Sequence, residues 1–192
     1  NLECYHKILE KKIPIIFYNN YYKDLKCSKV INNDAACADE LVARLARLGH
    51  KKIMGIFVTD NYQSVEKFCG YVKALRKYGC VFDDDYVKWC VSSSAYKKSF
   101  EKEIYKFIKS QPECTAIVCC NYMLLKMVQK VLQDMGKKVP EDYSLVCFDY
   151  SNEDWKECGI TCSVHQGNIM GVEVSKRLLK MMKKVKSENS LF

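Results

Sequence analysis

Val139-Pro140-Glu141-Asp142-Tyr143-Ser144-Leu145-Val146-Cys147-Phe148-Asp149-Tyr150-Ser151 is the stretch on which the reading of this chain turns. A charged turn (Pro140, Glu141, Asp142) feeds a short apolar run, Ser144 to Phe148, that ends abruptly on Asp149. A run that is apolar on both faces suits an interior strand of a parallel sheet. In open α/β sheets, ligands sit just beyond the carboxyl ends of such strands. A carboxylate placed there is acceptor-only and can take two hydrogen bonds from ligand hydroxyls. Asp149 is therefore a candidate ligand contact.

The same pattern repeats outward from this run. Residues 2–12 predict a helix, Ile15-Ile16-Phe17-Tyr18 a strand ending on Asn19-Asn20, and Val30-Ile31 a short strand stopping at Asn32-Asn33-Asp34. Between Ala35 and Leu48, apolar residues recur at helical spacing, with Gly49 as the stop. Ile53–Val58 predicts a strand ending on Thr59-Asp60, and residues 63–78 a helix stopped by Gly79. Further strands are expected at 87–91, 116–120 and 144–148, with helices at about 98–109 and from Asn121 to Met135, and Thr161 to His165 leads into a final helix at about 169–185. Strict β-α alternation predicts an α/β fold with parallel sheet. Asn19, Asp34, Asp60, Asn121 and Asp149 each close a strand. Helix capping and Asx turns explain any one of them. Five on one sheet edge point to a polar ligand cleft.

Composition narrows the class. The 192 residues are 48% hydrophobic and 28% charged, an ordinary globular balance. No apolar stretch reaches the roughly 18–20 residues of a membrane span, and Asn1–Lys12 lacks the apolar core of a signal peptide. That terminus reads as the middle of a helix, so a longer protein is expected. The twelve cysteines include no CxxC pair, and several (Cys90, Cys119, Cys120, Cys147) lie in or beside apolar runs as small hydrophobes. A reduced, cytoplasmic compartment follows. Cys158, Cys162 and His165 match no standard zinc spacing, so no metal and no cofactor is expected. The net charge of +8 is spread over helix faces such as Lys98, Lys102, Lys106 and Lys109, a solvated pattern rather than a nucleic-acid footprint.

In order and spacing the motifs resemble the effector-binding domain of the lac/gal repressor family. The residues that carry the likeness are Ile13-Pro14; Asn33-Asp34 and the helix closing on Leu48-Gly49-His50-Lys51-Lys52-Ile53; Gly70-Tyr71; Thr115-Ala116-Ile117 to Asn121; Val139-Pro140-Glu141-Asp142 to Phe148-Asp149; and Met170-Gly171. The resemblance implies a two-lobed type I periplasmic-binding-protein fold with a small molecule between the lobes. It places residues 1–34 in an incomplete N-terminal lobe and 35–162 in the C-terminal lobe, with 163–192 returning to the first. A narrower likeness is to arabinose repressors, which join this domain to a gluconate-repressor-type winged helix. Its marks are Met54-Gly55-Ile56-Phe57 leading to Asp60 and Gln63, then Gly70, Ser151 and His165.

Departures from the family pattern matter. Lys67 stands where relatives usually carry Arg, which keeps the charge but loses the planar fork. Tyr122 and Tyr150 each stand where an Asp is usual, and Gln166 where Pro is frequent. The candidate contacts are Asp149, Asn121, Asp60, Gln63, Lys67, His165, Asn19 and Tyr22, with Trp155 at the rim and His50 structural. Gln63 and Lys67 are four apart and share a helix face. No nucleophile-base constellation, phosphate loop or metal pattern supports catalysis. The expected function is a sugar-sensing domain of a transcriptional repressor, responding to L-arabinose, dimeric, and acting on DNA through a domain outside this chain. The alternative is an extracytoplasmic sugar-binding protein of a transporter, which a signal peptide on the full-length protein would reveal.

Overall fold

The computed structural model describes residues 2–150 and 160–189, and separates into two compact units, Asn33–His165 and the pair of segments Asn1–Asn32 and Gln166–Phe192. Ser151, Trp155 and Cys158 lie outside the described residues.

The larger unit is built on five parallel strands, β3 (Ile53–Val58), β4 (Val87–Cys90), β5 (Ala116–Cys119), β6 (Ser144–Tyr150) and β7 (Thr161–Val164). Their order across the sheet is β4-β3-β5-β6-β7, so the chain runs outward one way from β3 to β4 and the other way from β5 onward. The order reverses between β3 and β5, the switch point at which doubly wound sheets leave a crevice beyond their strand ends. All six residues of β3 and all four of β5 are buried, as expected of strands covered on both faces. Helices α2 (Asp34–Arg47), α3 (Tyr62–Lys77), α4 (Lys98–Ser110) and α5 (Tyr122–Asp134) provide that cover.

Local sequence sets the helix ends. Asn33, Asn61 and Asn121 each accept the backbone N–H three residues on, at 3.2, 2.7 and 3.0 Å, and so satisfy donors the helix leaves open. The strand-end asparagines are thus helix caps as well as rim residues. At the other ends of α2, α3 and α5, Gly49, Gly79 and Gly136 have φ between +62° and +93°. His50 N–H then reaches back to Leu45 O at 3.2 Å and Gly49 N–H to Ala46 O at 3.0 Å, a Schellman closure repeated at the other two helices.

Helices α2 and α3 lie unusually close. A Cβ built on Gly70 would fall 2.8 Å from the Ala38 Cβ and 3.1 Å from the Ala35 Cα. Inside the sheet, the Tyr71 hydroxyl donates to Ile53 O at 2.6 Å, and Phe57, Phe68, Tyr71 and Trp89 form one aromatic group with centroids 4.8–6.3 Å apart.

Strand β6 departs from expectation at its end. Rather than stopping at Phe148, it continues to Tyr150, with a register shift against β7 between Cys147 and Tyr150. Asp149 occupies the irregularity with φ +52°, a left-handed conformation that aspartate tolerates better than most residues.

The smaller unit contains α1 (Leu2–Glu10), the parallel pair β1 (Ile16–Tyr18) and β2 (Ser28–Val30), and the long α6 (Gly167–Asn189). The second strand lies two residues earlier than Val30-Ile31, because Tyr18 pairs with Val30 and the ladder extends back to Ser28. Tyr5, Phe17 and Tyr22 cluster with centroids 5.4–5.9 Å apart, and Arg177 Nη1 donates to Lys29 O at 3.2 Å.

Candidate ligand-binding site

Three strands and two helices of the larger unit converge at the switch point. The Lys67 side chain, from the second turn of α3, is 3% exposed and runs under the ends of β5 and β6. Its ammonium donates to Asp149 Oδ2 and to the carbonyl of Cys120, the latter at 3.1 Å, and lies 5.3 Å from the centre of the Phe148 ring. Gln63, one turn earlier, donates to the same Asp149 Oδ2 at 3.2 Å. The Asp149 N–H donates to Ser163 Oγ on β7 at 3.2 Å. Strand end, bulge and neighbouring strand therefore fix the carboxylate together, while the left-handed backbone turns it toward α3.

A buried ion pair of this kind is weak evidence for stability, since desolvation opposes the Coulombic attraction. It does hold a carboxylate and an ammonium in fixed positions at one edge of the sheet.

Asp34, the first residue of α2, joins the cluster. In the sequence it is a strand-end residue, and an acidic residue in a first helical turn is ordinarily explained by the helix dipole. The fold buries it instead, at 4% exposure, because α2 packs so tightly on α3. Burial pushes its carboxyl up to about 7, Lys67 pulls the other way, and the negative charges of Asp149 and Glu66 add to the rise, with a Gln63 hydrogen bond again lowering it. Asp34 Oδ1 is buried with no hydrogen-bond partner among the described residues. The small residues facing each other across the two helices, Gly70 against Ala35 and Ala38, were the available sign of this burial.

The other candidates divide. Asn121 sits next to the Cys120 carbonyl that Lys67 binds. Its Oδ1 is taken by the α5 cap, which leaves the amide N–H₂ as the group it can present. Asp60 is exposed and accepts from the Ser92 N–H at 3.0 Å and the Ser92 hydroxyl at 2.6 Å. Those bonds, the hydroxyl foremost, hold its carboxyl below the usual range. It ties the loop after β3 to the loop after β4. His165 is half-buried just after β7. Asn19 and Tyr22 belong to the smaller unit, where Asn19 (φ +64°) accepts from Asn32 Nδ2 at 3.4 Å and Tyr22 packs on Tyr5 and Phe17.

The two departures from the family pattern prove to be one feature. Tyr122 and Tyr150 meet edge to face, 5.1 Å between centroids and 86° between planes, and Tyr150 is 3% exposed. Two positions expected to be acidic are filled by a packed aromatic pair beside Asn121 and Asp149.

The polar cluster thus lies at the reversal point of a parallel doubly wound sheet, the place where such folds hold ligands. The chain belongs to the periplasmic binding protein-like domain family, whose match covers residues 42–191. It is 28% identical over 185 residues to an arabinose metabolism transcriptional repressor of Geobacillus stearothermophilus, covering 95% of this chain and 50% of that protein. A second protein of that description, from Halalkalibacterium halodurans, is 25% identical over 192 residues, covering 99% of this chain and 51% of its own length. The chain thus spans about half the length of these relatives. In fold it is similar to the transcription regulator CcpA of Lactococcus lactis, with a TM-score of 0.82, 19% identity, and coverage of 96% of this chain and 67% of that one.

Proposed function

We propose that this chain is the sugar-sensing effector domain of a DNA-binding transcriptional repressor, with L-arabinose as its preferred ligand. The observation that carries the reading is the 28% identity to an arabinose metabolism repressor across 95% of this chain. The site chemistry supports it. Asp149 and Asp34 are acceptors for hydroxyl donors, while Lys67, Gln63 and Asn121 can donate to hydroxyl oxygens, the fixed mixture of partners a polyol requires. Asp60, His165, Asn19 and Tyr22 are proposed as further contacts. The domain acts by binding rather than catalysis, in the cytoplasm and as a homodimer, with DNA engaged by a segment outside this chain. For the sugar to regulate anything, it must bind the DNA-competent and DNA-incompetent states with different affinity.

Thermal-shift measurements on the intact protein across a panel of pentoses and hexoses test this. A ligand at about 100 times its dissociation constant adds roughly 2.7 kcal/mol of stability, so L-arabinose should raise the melting temperature most. Asp149→Ala should abolish the shift while the protein still melts cooperatively. Flat curves for every sugar would remove the proposal. A shift for another sugar would keep the sensor and change its ligand.

A further inference from the structure

We propose that sugar binding in this protein releases one proton from Asp34. The inference rests on the sugar-binding reading above and assigns its site a proton-linked step.

The charges around Asp34 do not balance. Two carboxylates, Asp34 and Asp149, flank one ammonium, Lys67, and the ammonium is bonded to Asp149. The groups facing Asp34 are Gln63, Glu66 and Lys67 from α3 and Asp149 from β6, with Cys37 on its own helix. Only Lys67 among them is a cation. Asp34 cannot relieve the mismatch by turning outward with its helix. The close approach at Gly70 fixes the first turn of α2, and a Cβ there would lie 3.5 Å from the Asp34 carbonyl oxygen.

A buried carboxylate with an unpartnered oxygen can be satisfied in two ways. A proton can neutralise it, or a donor can be supplied to Oδ1. In the ligand-free protein the first applies, and burial holds the carboxyl at about 7, so near neutrality a large share of molecules carry the proton. A sugar hydroxyl donating to Oδ1 provides the second. Hydrogen bonds to the charged form favour it, so the bound protein holds Asp34 ionised and the proton passes to the buffer.

Calorimetric titration of L-arabinose into the intact protein, in buffers of different ionisation enthalpy, reads the proton directly. At about pH 6 the expected release approaches one proton per sugar, and the apparent affinity falls about tenfold per pH unit below about 7 while staying level above about 8. Asp34→Asn keeps the shape of the side chain and should make both readings independent of pH.

A ligand-free measurement separates this inference from the sugar reading. The ionised, buried Asp34 weakens the native state of the parent protein as pH rises, so the melting temperature of Asp34→Asn relative to the parent should climb between about pH 4 and 7 and level off above. If that variant does not fold, a carbon-13 titration of the Asp34 carboxyl in the parent reads the same ionisation. Sugar binding with no proton released, or with a proton taken up, overturns the inference and leaves the sensor intact. A melting difference unchanged with pH, or a carboxyl titrating in the ordinary range, overturns it as well. Failure of every sugar to bind overturns both readings, and the ligand-free melting then still reports the state of Asp34.

Discussion

Two polar constellations sit at opposite edges of the same parallel sheet, and they are built to opposite ends. At the amino edge His50 bridges two strands, with Nδ1 2.8 Å from Thr115 Oγ1 and Nε2 2.9 Å from Ser144 Oγ. Both ring nitrogens are engaged, and burial lowers the pKa, so the ring is held neutral. At the carboxyl edge the buried Lys67 pairs with a half-buried Asp149 held at positive φ, and Asp34 adds a second carboxylate whose Oδ1 has no hydrogen-bond partner among the described residues. The amino edge satisfies itself and only joins strands. The carboxyl edge leaves hydrogen-bonding capacity and charge in place for something else to meet.

Removing the cation should produce the largest effect. Lys67→Met leaves Asp149 and Asp34 buried without an opposing charge, a loss of about 3–5 kcal/mol for a broken buried pair. Urea unfolding at neutral or higher pH would show it as a lower midpoint. The deficit should shrink as pH falls and Asp34 takes up its proton, because its neutral carboxyl no longer needs Lys67. A midpoint unchanged at every pH would mean the carboxyl edge is as self-sufficient as the amino edge.

Next in size is a change that alters no side chain of either constellation. Gly70→Ala places a methyl 2.8 Å from the Ala38 Cβ and should cost about 1–3 kcal/mol, as overpacking of a close interface does. The consequence should be unequal across the sheet. Spreading α2 from α3 separates Asp34 from Lys67 and Gln63, so sugar affinity falls with stability, while the His50 bridge is unaffected. Stability lost with affinity retained would show that the helix contact and the site are independent.

The legibility of the two edges also differs. Periodicity and glycine stops placed β3 and the ends of α2, α3 and α5 to within a residue, because buried parallel strands and C-terminal glycines leave strong local signatures. Gln63 and Lys67 could be placed together from their spacing of four, and Asp149 from its position after an apolar run. The bulge that carries β6 on to Tyr150 depends on pairing with β7, which no local pattern encodes. The burial of Asp34 depends on how two helices pack, and the pairing of Tyr122 with Tyr150 on residues 28 positions apart in sequence, counted as 150 − 122. Long-range packing set each of these, and the charge imbalance at the site follows from it.

The smallest expected effect sharpens the contrast most, because it should leave function alone. His50→Ala removes two side-chain hydrogen bonds between strands, worth about 1 kcal/mol in a partly exposed setting. The pH dependence gives a second readout. The histidine is harder to protonate in the folded chain than in the unfolded one, so it favours folding above its ordinary range near 6.5 and that contribution is lost as pH falls. Asp34 runs the other way, since its carboxyl is raised to about 7 and its ionisation weakens the native state as pH climbs from the ordinary carboxylate range. His50→Ala should therefore flatten the acid side of the stability profile, and Asp34→Asn the neutral side. The sugar-induced thermal shift should survive in His50→Ala at full size. Loss of that shift would mean that strand spacing at the amino edge sets the geometry of Asp149 and Asn121 at the far ends of β6 and β5, and that the two edges are coupled through the sheet rather than separately built.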